Sequence, residues 1–356
     1  MINRFFSLLS WCRGLFAAPL MAAALAMLTF GASPELGFGA NQIISFSVPG
    51  STGTTPVSVN LSGTIAGYYT DVQGTAHGFV RSAAGTTTMF DAPGAGVGTN
   101  YGTLPQRIND SGEIAGICLG ACSGFVRDAA GVLTEFNVAG AVQTYATAIN
   151  NSGQVGGIYF VPNSQIASGF VRDSSGNITT FSILGSIFGL SMNSAGQVAG
   201  YFYDSNGFDY GYYGDPSGSI YTLWADGASQ FTFAVAIADN GFITGVFHGP
   251  YLHSPVHGFV RDGLGNITQI DISGAAATEP TAINASGTIT GSYSNPTGSH
   301  GFVRDSLGNI VTFDDPHAGT GLTKGTYPMS INRYGGIAGY YVGPQGTRRG
   351  FFRRAE

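Results

Sequence analysis

His300-Gly301-Phe302-Val303-Arg304-Asp305, followed by Gly308-Asn309-Ile310 and Thr312-Phe313-Asp314, is a passage that the chain repeats with small changes. Gly-Phe-Val-Arg returns at 78–81, 124–127, 169–172 and 258–261, and in weaker form at 211–214 and 350–353. A second motif precedes each copy: a hydrophobe and Asn, a short turn, then Gly-x-Ile-x-Gly. It starts at Asn60, Asn109, Asn150, Asn193, Ala238, Asn284 and Asn332. Both motifs occur seven times, at intervals of 41 to 49 residues. Intervals of that size belong to solenoids, propellers or arrays.

The unit reads as strands alone. Strand a ends in Ile-Asn, strand b is Ile-Ala-Gly-Tyr-Tyr (65–69, 337–341), strand c is Gly-Phe-Val-Arg, and strand d is Ile-Thr-x-Phe (178–181). Asn-x-Ser-Gly joins a to b and Asp-x-x-Gly-Asn joins c to d. Asn, Asp and Gly tolerate positive φ, which tight turns need. Four short antiparallel strands in about 45 residues is the pattern of a propeller blade. The segment 43–50 matches a strand d and its exit turn, and the last repeat stops after strand c. The expected fold is therefore an all-β, seven-bladed propeller of four-stranded blades, residues 41–356, closed by its N-terminal strand. Closure removes sheet edges that would otherwise pair with other chains.

The His-Gly-Phe word and its context resemble the bacterial extracellular HAF repeat over nearly all of residues 41–356. The resemblance implies a secreted, propeller-like protein and brings no catalytic residues with it.

Composition agrees with export. Arg4 and Arg13 flank the start of the chain, the stretch from 15 to 30 is apolar and Ala-rich, and small residues follow at 31–32 and 39–40. Residues 1–40 read as a secretory signal peptide and leader, cleaved near 32 or 40. The expectation is a secreted, periplasmic or extracellular monomer with no membrane span after cleavage. The formal charge is −6 with Lys324 the sole lysine, which argues against a nucleic-acid partner. Cleavage removes Cys12. Cys118 and Cys122 remain, bracketing a b–c hairpin, and an oxidising compartment would join them.

Recurring polar residues read as structure. The Asn ending strand a and the Arg ending strand c, usually followed by Asp, suggest a hydrogen-bond ladder from blade to blade, since buried charges need partners. The Asn-x-Ser/Thr triplets read as turn residues.

Departures from the repeat read as function. The short a–b and c–d turns define one face, and the longer b–c and d–a connections define the other, where variable loops place binding groups. Two residues before the strand-a Asn stand Ser58, Arg107, Ala148, Ser191, Ala236, Ala282 and Ser330. Small residues suit the innermost strand, so Arg107 stands out as a group for a carboxylate or sulfate in the channel. The fourth repeat carries Tyr203, Asp204, Tyr210 and Trp224, a candidate surface for stacking sugar rings. His248, His253 and His257, with Tyr251 among them, are a candidate for a divalent metal; no cofactor is otherwise expected. The acidic d–a turns (Asp91, Asp271, Asp314, Asp315) are a further place for a cation.

Two functions follow. The first is a binding module for a glycan or protein ligand on the b–c/d–a face. The alternative is a polysaccharide-active, lyase-like enzyme, with Arg107 gripping a uronate and a Tyr–His pair at the channel mouth. No nucleophile elbow, phosphate loop or His-Glu-x-x-His motif is present.

Overall fold

The computed structural model describes residues 43–228, 231–249 and 255–355. Among the described residues there are twenty-eight strands and no helix. Each repeat becomes one meander of antiparallel strands. Gln143–Ile149, Val155–Phe160, Ala167–Arg172 and Ile178–Phe181 pair in chain order, and Ser186–Met192, Val198–Tyr203, Asp209–Gly214 and Ile220–Leu223 do the same. Gly325–Ile331, Ile337–Val342 and Arg348–Arg353 find their fourth strand far away in sequence. Ile43–Phe46 pairs antiparallel with Arg348–Arg353, Ile43 opposite Arg353 and Phe46 opposite Gly350.

The turns work as their composition implies. Asn60 Oδ1 accepts from Thr64 N (2.9 Å), and Gly63 supplies the positive φ of 78°. In the c–d turns, Asp173 Oδ1 accepts from Asn177 N at 2.8 Å. The Asn-x-Ser/Thr residues therefore serve the turns.

Neighbouring units are glued by rings. The aromatic of Gly-Phe-Val-Arg (Phe79, Phe125, Phe170, Tyr212, Phe259, Phe302, Phe351) is fully buried in every unit. Five of these rings meet a strand-d Phe of the preceding unit edge-to-face, as Phe90–Phe125 at 6.2 Å and Phe136–Phe170 at 5.8 Å. Such pairs add about 0.5–1.5 kcal/mol each beyond burial. The motif glycine is what lets that Phe lie down: a Cβ on Gly301 would stand 2.8 Å from the Phe313 ring.

The recurring Arg differs from the expected hydrogen-bond ladder. Its guanidinium lies over the same strand-d ring of the neighbouring unit, Arg81 over Phe46 at 4.6 Å and Arg127 over Phe90 at 4.9 Å. Its Nη1 donates to the carbonyl of its own next residue, as Arg127 to Asp128 O. The aromatic face takes the place of a carboxylate as the cation's partner, and Arg127 Nε is left buried without a hydrogen bond among the described residues. Where strand d of the fourth unit has Leu223 in place of Phe, Arg261 lies over Tyr213 at 4.2 Å and donates to its hydroxyl at 3.0 Å.

The Asn half of that expectation holds. Asn60 Nδ2 donates to Asn109 O, Asn109 to Asn150 O, Asn150 to Asn193 O, and Asn193 to Ala238 O. After the gap at Ala238, Asn284 donates to Asn332 O and Asn332 to Asn60 O.

Candidate functional site

Ser58, Arg107, Ala148, Ser191, Ala236, Ala282 and Ser330 all line one channel of about 160 Å³, together with the residue that follows each of them. The innermost strands thus bring together positions that the repeat alone relates. Ser330 Oγ accepts from Val59 N (3.2 Å), Ser58 Oγ from Ile108 N (3.3 Å) and Ser191 Oγ from Ile237 N (3.4 Å). Arg107 is the one charged side chain in this lining. It lies deep in the body, and burial lowers its pKa from the ordinary value; it still keeps some accessible surface because the channel runs past it. An arginine remains protonated even so. Neither His nor Tyr lines this channel, so the Tyr–His pair of the lyase reading does not meet Arg107 there.

The b–c/d–a face carries a second set of related positions. His77 Nδ1 contacts Asp91 at 2.9 Å, His257 Nδ1 contacts Asp271 at 2.8 Å, and His300 Nδ1 contacts Asp314 at 2.7 Å. The partners are always 14 residues apart. A strand-b ring stacks on each imidazole: Tyr69 on His77, Phe247 on His257 and Tyr293 on His300, at 5.0–5.1 Å. The acidic d–a turns are therefore engaged by histidines, and Asp315 likewise by His317 at 3.1 Å. That fixed spacing was the signal in the sequence that would have paired them.

In the fourth unit the same two positions hold Tyr210 and Trp224, with ring centroids 4.8 Å apart. Phe202 stacks on Tyr210 at 5.5 Å and Phe208 approaches it at 6.4 Å. Tyr203 and Phe208 are 44% and 43% exposed. Asp204 lies beside them but serves its turn, accepting from Asn206 N and Phe208 N at 2.9 Å; those hydrogen bonds outweigh its slight desolvation and lower its pKa. Asp209 is the carboxylate left over. It makes no hydrogen bond among the described residues, and burial, with the Asp204 charge nearby, pushes its pKa up to about 6.

Arg107 and this aromatic group are separate features, one in the channel and one on the loop-bearing face. Of the three histidines, His248 and His257 lie among the described residues, and these two do not come together. The register sets Phe247 opposite His257 and His248 opposite Val256, so His248 and His257 point to opposite faces of their hairpin. His248 is buried and bonds Gly249 O through Nδ1 at 3.0 Å. His253 and Tyr251 lie outside the described residues, as does the leader. Among the described residues no three of His, Cys, Asp and Glu gather as a metal site, and no helix is long and apolar enough to cross a membrane. Cys118 and Cys122 form a disulfide, with Cα atoms 5.5 Å apart.

No protein-family model matches the chain, and no curated protein matches it. Solved structures do resemble it. One is a catalytically inactive virginiamycin B lyase from Staphylococcus aureus with quinupristin: TM-score 0.58, 12% identity, covering 88% of this chain and 99% of that one. A streptogramin B lyase gives 0.58 at 11% identity, covering 87% and 97%. The β-propeller domain of the Trilobed protease from Pyrococcus furiosus gives 0.57 at 9%, covering 87% and 95%. The fold is a β-propeller. At these identities the likeness extends to the fold and not to the chemistry, because function lives in sites grafted on the propeller. In propeller terms, the four-stranded units are blades and the Ser/Arg/Ala positions line the central channel.

Proposed function

We propose that this chain is an exported binding module, a seven-bladed propeller closed by Ile43–Phe46, that takes a glycan on the aromatic surface of its fourth blade. The observation that carries this reading is the replacement of a His–Asp pair by Tyr210 and Trp224. The first, fifth and sixth blades fill those positions with groups that satisfy one another. The fourth presents stacked rings with two exposed aromatic neighbours and a carboxylate, Asp209, lacking a hydrogen-bond partner among the described residues. Aromatic walls with a few convergent polar groups are what small-ligand sites are made of. A sugar's C–H face stacks on such rings, and its hydroxyls donate to a carboxylate acceptor. Pairing of Ile43–Phe46 with Arg348–Arg353 supports closure. The leader, with Arg4 and Arg13 ahead of its apolar stretch, and the likeness to HAF repeats support export.

The chain has two tryptophans, and Trp11 lies in the leader. The exported form therefore retains Trp224 as its sole intrinsic fluorophore of that kind. A glycan array should return binders that shift or quench Trp224 emission. Tyr210→Ala should weaken binding by at least roughly tenfold, the scale of one lost stacking contact. Tyr221→Ala, an exposed ring on the adjacent strand, should not. Array silence together with unmoved Trp224 emission would end the glycan reading.

A further inference from the structure

The central channel holds a feature that glycan binding does not use. A repeat that puts Ser or Ala at six of seven axial positions puts Arg107 at the seventh. Among the described residues no carboxylate pairs with its guanidinium, and the lining contains no acidic residue. Glu279, three positions before Ala282 on its strand, has contacts of its own. An unpaired charge reached only by the water of a narrow channel is poorly solvated, and proteins rarely leave one uncompensated.

The rest of the lining is also rich in donors. Each axial serine spends an Oγ lone pair on a neighbouring N–H, which leaves its O–H to donate inward. Ile149, Met192, Ile283 and Ile331 occupy the equivalent N–H donor positions, but the residues beside them are Arg107, Ala148, Ala236 and Ala282. These offer no hydroxyl to their N–H groups. A channel of about 160 Å³ has room for several waters, and so for one compact anionic group.

We propose that the channel is a binding site for a small oxyanion, a sulfate or a single carboxylate group, gripped by the planar fork of Arg107 and met by the hydroxyls of Ser58, Ser191 and Ser330. A guanidinium offers two parallel N–H donors to two oxygens of such a group. Water alone would fill the volume but would not neutralise the charge.

The test is thermal unfolding of the full protein with sulfate, phosphate or acetate titrated against chloride at matched ionic strength. A ligand that binds only the native state raises Tm along a saturable curve. Sulfate's general exclusion effect instead rises without saturating. The expected result is saturation at low millimolar concentration for at least one oxyanion, abolished in Arg107→Ala and weakened in Arg107→Lys, which keeps the charge and loses the fork. Alanine already fills three sister positions, so the blade accommodates it. Preference for sulfate or for acetate tells a tetrahedral from a planar occupant. Absence of saturation with every anion, or an equal saturable response in Arg107→Ala, would overturn the proposal. Should Arg107→Ala fail to fold, the Arg107 Nε–H resonance of the unmutated protein decides: it shifts saturably with at least one of sulfate, phosphate and acetate, or the site does not exist.

Discussion

His77 stands between two carboxylates, Asp91 on Nδ1 and Asp71 on Nε2 at 3.4 Å. Burial alone would lower its pKa, but the hydrogen bonds to Asp91 and Asp71 outweigh it and the pKa is raised. A folded-state pKa above the unfolded value near 6.5 means that the stabilisation is complete below that pH and fades as pH rises through the folded pKa. The Tm gap between wild type and His77→Gln should therefore be wider at about pH 5.5 than at about pH 8; equal gaps would deny the pairing. Asp209 behaves in the opposite sense. Its raised pKa of about 6 makes ionisation a cost at neutral pH, relieved as pH falls through 6 toward the unfolded value. Asp209→Asn should stabilise the protein at pH 7–8 by on the order of 1 kcal/mol, discounted for its remaining solvent contact, and leave stability at about pH 4 unchanged. Chemical denaturation at both pH values would show it.

Among the elements, the a–b turn does two jobs through one side chain. Asn150 Oδ1 accepts from Gln154 N at 3.0 Å, while Nδ2 crosses to Asn193 O at 3.1 Å. Asn150→Ala should cost roughly 2 kcal/mol, since a buried carbonyl and a turn N–H both lose a partner. Ala238→Asn should do the reverse, adding the missing rung toward Asn284, and urea midpoints would report both. The ladder could be read from sequence because Asn at the end of strand a is short, polar and repeated, with one geometry available. The companion Arg was misread because a guanidinium has two ways to be satisfied. Nothing local says that Phe90 of one blade will lie under Arg127 of the next. The axial set was legible for a similar reason to the ladder, as one repeat position with one odd occupant, Arg107. The aromatic surface was legible only as composition. That Tyr210 and Trp224 touch depends on the pairing of strands c and d, and Asp209 stands out only once Asp204 is seen to be spent on its turn.

At the scale of the molecule, the proposed closure concentrates its consequences at one seam. Phe46 meets Phe79 edge-to-face, lies under Arg81, and belongs to a strand paired with Arg348–Arg353. Phe46→Ala should destabilise by about 3 kcal/mol, the usual cost of emptying an aromatic site. Removing residues 43–46 altogether should expose the edge of Arg348–Arg353 and make the last blade the first to be clipped by protease. Limited proteolysis read by mass spectrometry would locate the cut; cleavage elsewhere would count against the seam.

The pairing of Ile43–Phe46 with Arg348–Arg353 also sets the order of events during synthesis. Ile43–Phe46 leaves the ribosome some 300 residues before its partner exists. Every other strand can pair with a neighbour made within seconds, at rates of roughly 5–20 residues per second. This one must wait, carrying Ile43, Ile44 and Phe46 unpaired, and the closing contact has the largest sequence separation in the chain. Joining it is expected to be the slow step. A circular permutant that starts at strand a of any blade would keep every contact yet abolish the wait, so it should refold faster and aggregate less at unchanged final stability.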